Sequence, residues 1–270
     1  MTHGLEHQLN RPRAAPPSVL VTACPIIEAA AGQDELYTVL DAAQAVATGA
    51  EEECWLGLNV DRTYIRDEPH LTRLADVLVN AAPFGVVLRA FHRELPPVTD
   101  RDYLLGLREL VTALAANGTR VFLPHAGWLG WLAMAWGAWG FSGGMAAGTW
   151  GDREPGPMTR PDEPAEPYFE PQLLRTVRWR VHHELATEPG YQPCTCADCT
   201  AMGGTFDLRQ AKRHQMRHAH GEGVLLVPAD APASAVAARL DQAVAFRDGL
   251  RRGLRSRVGA EFLDRWRDFV

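Results

Sequence analysis

Residues 85–124, GVVLRAFHRELPPVTDRDYLLGLRELVTALAANGTRVFLP, decide the fold. Gly85 to Phe91 is a short apolar run rich in β-branched residues, which reads as a buried strand. From Asp102 to Ala116 the apolar residues recur at helical spacing. Asn117-Gly118 then supplies a helix stop. Arg120 to Pro124 is a second buried strand. Strand, helix and strand with short links imply a parallel pair bridged by a crossover helix.

The same unit repeats outward. Upstream, Cys54 to Val60 reads as a strand and Leu71 to Ala82 as a helix with Leu71, Leu74, Val77 and Leu78 on one face. Before them, Ser18 to Ile27 reads as a strand and Asp34 to Ala47 as a helix. Downstream, Trp128 to Trp136 reads as a short helix, and Trp139 to Trp150 holds a fifth strand and its loop. Such alternation fits a (β/α)₈ barrel or an open doubly wound sheet. No GxGxxG follows the first strand, which weakens a dinucleotide site. In either fold the functional rim is formed by the carboxyl ends of the strands. Those ends carry Asp61, Arg62, His92, Arg93, Glu94, His125 and Gly143-Gly144. Strand ends meet water and are often polar for that reason alone.

The pattern breaks after Trp150. The proline-rich segment from Gly151 to Pro171 reads as a long irregular loop. Gln172 to Glu188 fits helix or strand equally. Leu208 to His220 reads as a basic helix, Gly223 to Val227 as a short strand, and Ala233 to Val258 and Glu261 to Val270 as helices.

Composition bounds the function. The chain has 270 residues, 46% of them hydrophobic and 22% charged, which suits a globular protein with a sizeable core. No window approaches a membrane span of about 20 apolar residues. The first 17 residues lack a signal-peptide core and read as a disordered lead-in; the expected location is cytoplasmic. A net charge of -6 argues against nucleic-acid binding by bulk charge. Local basic tracts remain: Lys212, Arg213 and Arg217, and Arg251, Arg252, Arg255 and Arg257. The plain reading of both is a solvated helix face. The clustered residues Trp128, Trp131, Trp136, Trp139 and Trp150 read as core and pocket wall before a base-stacking platform.

Three of the five cysteines crowd into Cys194-Thr-Cys196-Ala-Asp-Cys199. Thiols so close suit a metal better than a disulfide framework. A C-x-C-x-x-C turn lets three thiolates converge on one ion, and Zn²⁺ completes its tetrahedron with a fourth ligand. His214, His218 and His220 follow on one helix and are the candidates. A closed, thiolate-rich set implies a structural ion that holds the C-terminal module in shape. An iron–sulfur cluster and an unligated thiol cluster are the alternatives.

The cysteine motif, followed by a histidine, resembles that of the tRNA-guanine transglycosylase superfamily. His214-Gln215 resembles the family's His-Asn pair, though it lies closer to the cysteines. Gly143-Gly144-Met-Ala-Ala-Gly-Thr149 resembles the family's base-contacting GGLAVGE loop, with Thr149 in place of the acid. Leu123 to Gly127 stands where the family carries VQGG, with His125 in place of glutamine. The tail from Ala243 to Val270 resembles the closing helices. The likeness covers residues 120–270 in patches.

What the resemblance implies is a TIM-type (β/α) barrel, shortened or incomplete, over residues 18–188. A zinc subdomain with C-terminal helices would span 189–270. It implies structural Zn²⁺ on Cys194, Cys196, Cys199 and His214. It also implies a purine or 7-deazapurine base, free or in a nucleic acid, bound beside His92, His125, Gly143 and Gly144. Family enzymes exchange the base through a carboxylate nucleophile. Neither the DSGGFQ nor the DCVLPTR segment that would carry one is found, and Asp61 is the carboxylate that stands nearest to the role. A catalyst, a non-catalytic binding or partner subunit forming homo- or hetero-oligomers, and a small-molecule nucleobase enzyme all remain open.

Overall fold

The computed structural model describes residues 20–22, 26–28, 36–42, 45, 54–81, 84–91, 98–143, 166–227 and 231–270. The expectations placed on residues 1–17, His92, Arg93, Glu94, Gly144 and Trp150 lie outside these.

The strands are β1 (Leu20–Val21), β2 (Ile26–Ile27), β3 (Cys54–Val60), β4 (Gly85–Ala90), β5 (Arg120–Leu123) and β6 (Gly140–Phe141). All pair in parallel. β1 and β2 lie along one edge of β3, and β4, β5 and β6 follow in sequence order. Helix α1 covers residues 36–42. It is followed by α2 (Thr63–Arg66) and α3 (Glu68–Ala81) between β3 and β4. Next come α4 (Arg101–Ala116) and α5 (Gly127–Met134), each between its flanking strands. The strand order never reverses, so among the described residues the sheet is singly wound. That differs from the doubly wound alternative. β6 and β1 do not pair among the described residues, so no closed barrel is seen there.

The local causes are legible. In β3 the consecutive residues Trp55 to Leu58 are all buried, as expected for a strand covered on both faces. Leu20 faces Cys54 and Ile26 faces Asn59, so six steps along one edge match five along β3. At that offset the Thr22 hydroxyl accepts the Gly57 N–H at 2.9 Å. Gly57 has no room for a side chain, because a Cβ would sit 2.1 Å from the Thr22 carbonyl oxygen. Asp100 caps α4 by accepting the Tyr103 N–H, and the Tyr103 hydroxyl donates to the Ala90 carbonyl at 2.7 Å.

After the sheet comes an antiparallel hairpin, β7 (Pro167–Glu170) with β8 (Arg175–Arg178). It emerges from the end of the stretch expected to be irregular loop. Leu174 turns the hairpin with φ at 52°. The remaining helices are α6 (Trp179–Leu185), α7 (Ala197–Met202), α8 (Leu208–Leu226), α9 (Pro232–Gly249), α10 (Arg252–Val258) and α11 (Phe262–Arg267). The strand expected over Gly223 to Val227 is instead the last turn of α8. The helix expected over Ala233 to Val258 is broken at Leu250-Arg251 into α9 and α10.

One hydrophobic cluster runs from Ile27 through Leu58 and Val86 to Trp266 and Phe269, so the C-terminal helices share the core of the sheet. Two indoles fasten them. Trp136 Nε1 donates to the Phe269 carbonyl at 2.9 Å, and Trp266 Nε1 donates to the Val98 carbonyl at 2.8 Å. A second, much smaller cluster holds Tyr168, Met202 and Ala211, with Trp179, Cys199 and Phe206 packed against it. Among the described residues no helix is long and apolar enough to cross a membrane.

Candidate metal centre

The cysteine segment is shaped before any ion is considered. Cys196 is the residue preceding α7, with extended φ and ψ, and its sulfur accepts the Cys199 N–H at 3.4 Å. Cys196 and Cys199 are thereby set on one side of the first helical turn. Gly203, with φ at 54°, ends α7 in the left-handed region that glycine tolerates. Asp207 then caps α8 by accepting the Gln210 N–H at 2.8 Å. That return brings the second turn of α8, with His214, back over the cysteines.

Cys194, Cys196, Cys199 and His214 converge, their ligand atoms all within 4.8 Å of one another. His214 Nδ1 lies 3.8 Å from Cys194 Sγ, 3.4 Å from Cys196 Sγ and 3.3 Å from Cys199 Sγ. A tetrahedral ion with ordinary Zn–S and Zn–N bonds would set these edges at about 3.6 Å. The four residues therefore fit one metal ion.

The surroundings prepare each ligand. His214 is fully buried, and its Nε2–H donates to the Phe169 carbonyl at 2.8 Å, which leaves the Nδ1 lone pair facing the sulfurs. Burial pushes the His214 imidazole down to about 4, so it is neutral and able to ligate at physiological pH. Burial also pushes the Cys194 and Cys199 thiols up, so an ion binding there displaces protons. Tyr168 stacks on His214 with ring centres 4.7 Å apart and planes 12° from parallel, and its hydroxyl lies 3.2 Å from Cys199 Sγ. His218, also a candidate for the fourth position, sets Nε2 3.2 Å from Cys194 Sγ. His220 is exposed and takes no part. Asp198 is buried between the ligands and pairs with Arg217 of α8 at 3.0 Å, which ties the cysteine turn to the histidine helix.

The hairpin joins this centre to the sheet. Alternation along β7 points Phe169 one way and Tyr168 and Glu170 the other. Phe169 stacks on Trp128 of α5, with ring centres 4.8 Å apart and planes 5° from parallel. On the opposite side, buried Glu170 accepts from His182 Nδ1 at 3.0 Å and from the Tyr191 hydroxyl at 3.4 Å. Gly223 of α8 lies against Phe141 of β6, where an added Cβ would stand 3.3 Å from the ring.

The rim residues fall as follows. Asp61 follows β3, and its carboxylate accepts the Thr63 N–H at 2.7 Å. His125 ends β5 in the left-handed region, φ 59°, with its side chain exposed and its N–H donating to Ser142 Oγ at 2.9 Å. Gly143 ends β6, exposed, with Gly127 Cα 3.8 Å from where a Cβ would be. Parallel pairing sets Asp61, His125 and Gly143 on one rim.

Much of the basic character is spent within the molecule. Arg217 pairs with Asp198, Arg251 with Glu188, Arg255 with Asp248 and Arg257 with Glu184. Trp131 and Trp136 are core, Trp128 serves the docking of the hairpin, and Trp139 is exposed beside Arg120.

Comparison of the chain with family models, curated proteins and solved structures gives no match.

Sequence reading named the four residues that converge. It missed Tyr168, Phe169, Asp198 and the inward turn of His218. The aromatic pair Tyr168-Phe169, at the end of a proline-rich stretch and just before a second β-compatible run, was the available signal.

Proposed function

We propose that this chain is a shortened relative of the tRNA-guanine transglycosylase superfamily that binds a purine-like base at the carboxyl rim of an incomplete (β/α) barrel. A structural zinc ion on Cys194, Cys196, Cys199 and His214 holds the adjoining module. The convergence of those four ligands, in the order Cys-x-Cys-x-x-Cys and then His, carries the reading. Edges of 3.3 to 3.8 Å suit a single ion and leave no room for several iron atoms. Among single ions, three thiolates and an imidazole favour zinc. The sequential order of parallel strands supports the barrel part of the reading.

Binding, rather than covalent base exchange, is the form the geometry favours. The Asp61 carboxylate accepts the Thr63 N–H and would have to leave that bond to act as a nucleophile. The base would lie against backbone at Gly143, where no Cβ intervenes, beside His125. The exposed apolar residues Val224, Leu225 and Val227 at the end of α8 favour a second reading, that of a partner subunit in an oligomer.

Metal analysis and calorimetry test the proposal together. The purified protein should hold one zinc per chain and bind guanine, a 7-deazaguanine or a short hairpin containing it. Gly143→Val has space for its Cβ. It should keep zinc and melting temperature and lose the base. A native protein that binds none of these ligands ends the base-binding reading.

A further inference from the structure

Each sulfur of the centre faces a donor that is not itself a ligand atom, and these donors differ. Cys196 Sγ takes the backbone N–H of Cys199 at 3.4 Å. Cys194 Sγ faces His218 Nε2 at 3.2 Å. Cys199 Sγ faces the Tyr168 hydroxyl at 3.2 Å. A metal-bound thiolate can only accept, so the imidazole N–H and the phenol O–H donate. Neither side chain is there by accident of exposure. His218 follows His214 by one helical turn and meets its ring edge-on, with centres 4.5 Å apart. Tyr168 is buried, at 1% exposure, and pinned by its stack on His214. His218 is not one of the four groups whose ligand atoms converge within 4.8 Å, so its place is beside the ligand set and not in it.

We propose that His218 and Tyr168 are positioning residues that restrain Cys194 and Cys199 separately, each setting how readily its own sulfur reacts or exchanges. The inference rests on the zinc reading above. Three thiolates and a dication carry a net negative charge, and buried Asp198 adds another that Arg217 offsets. Electron density at sulfur is what makes a bound thiolate nucleophilic. A hydrogen bond to it withdraws density and occupies the direction from which an electrophile would approach. Cys196, whose donor is main chain, is untouched by either side-chain change and serves as an internal reference.

The experiment uses the full chain loaded with zinc. Zinc content is measured first. Alkylation by iodoacetamide is then followed cysteine by cysteine by peptide mass spectrometry, and zinc transfer to a chromophoric chelator is timed. His218→Ala should speed alkylation of Cys194 by about tenfold, the lower end of what outer hydrogen-bond partners contribute at metal sites. Tyr168→Phe should do the same at Cys199. Each variant should leave the other two cysteines near their native rates and keep one zinc. His218→Gln, which still offers an N–H, should restore much of the protection of Cys194.

Equal acceleration at all three cysteines would mark a merely structural role and overturn the inference, as would no change at all. A His218→Ala protein without zinc would make His218 a ligand and overturn it too. A native protein without zinc, seen before any variant is made, would instead overturn the metal reading itself.

Discussion

The Phe169 carbonyl oxygen accepts a hydrogen bond from His214 Nε2 at 2.8 Å, and through it the hairpin fixes which imidazole nitrogen faces the three cysteines. Phe169 also stacks on Trp128 of the sheet domain. One residue therefore sets the tautomer of a metal ligand with its main chain and docks the module with its ring. His214→Ala removes the ligand and this link together. Its affinity for zinc should fall by at least about a hundredfold, since changes to outer partners alone cost 10–100-fold. Competition with a chelator of known affinity measures it, and native-like affinity would exclude His214 from the ligand set.

Removing the metal should unfold the module before the sheet. The small cluster of Tyr168, Met202 and Ala211 buries little apolar surface, whereas the main cluster spans the sheet and the C-terminal helices. A module with so small a core depends on its ion. After chelation, amide hydrogen exchange should rise sharply across 194–218 and little in β3, β4 and α4. A uniform rise across both would show that the ion stabilises the whole chain.

Gly106→Ala tests packing against propensity. In an exposed helix this change would gain about 1 kcal/mol. In α4 an added Cβ would stand 1.7 Å from the Ile65 carbonyl oxygen, which is backbone and cannot swing aside. The outcome should be a loss of about 3 kcal/mol or more by denaturant unfolding, the upper part of the range for overpacking. A neutral or stabilising result would mean that α4 and the end of α2 are further apart than described.

Arg247 predicts a pH dependence. Its side chain is buried and forms a two-pronged pair with Asp264, at 2.6 and 2.8 Å, and also bonds the Ala260 carbonyl. The hydrogen bonds from Arg247 hold the Asp264 carboxyl below its ordinary value. A depressed carboxyl contributes stability above its unfolded value of about 3.9 and loses it as pH falls through the lower folded value. Asp264→Asn should melt lower than the native protein at pH 7. The gap should close below about pH 4 as the native carboxyl takes up its proton. A gap that stays constant down to pH 2.5 would remove the ion pair as its cause.

His125 sets stability against binding. Its φ of 59° suits glycine, and a non-glycine residue there costs of order 1 kcal/mol. His125→Gly should raise the melting temperature slightly and weaken base binding at the rim. Higher stability with unchanged binding would take His125 out of the proposed site.

The sequence by itself determined whatever depends on neighbours along the chain. Hydrophobic runs and helical periodicity gave the βα units from Cys54 to Phe141, because a strand or a helix is recognised from a dozen residues. The spacing of Cys194, Cys196 and Cys199 gave three ligands for the same reason, since one turn of backbone brings them together. Spacing left His214, His218 and His220 all open as the fourth partner, and only the resemblance of His214-Gln215 to the transglycosylase His-Asn pair singled out His214. Tertiary structure alone decided the rest. Sheet order depends on which strands pair across crossovers, and the singly wound order, not the doubly wound one, emerged from that pairing. Gly223 to Val227 reads as strand from its own composition, yet continues α8 because Phe141 and the rest of the core lie against that helix. Asp61 has the chemistry of a nucleophile in sequence and in space accepts the Thr63 N–H. Tyr168 and His218 reach the sulfurs from positions 31 and 24 residues distant in the chain. Periodicity carries no record of such contacts, because they arise only when a hairpin and a helix are packed against the same few atoms.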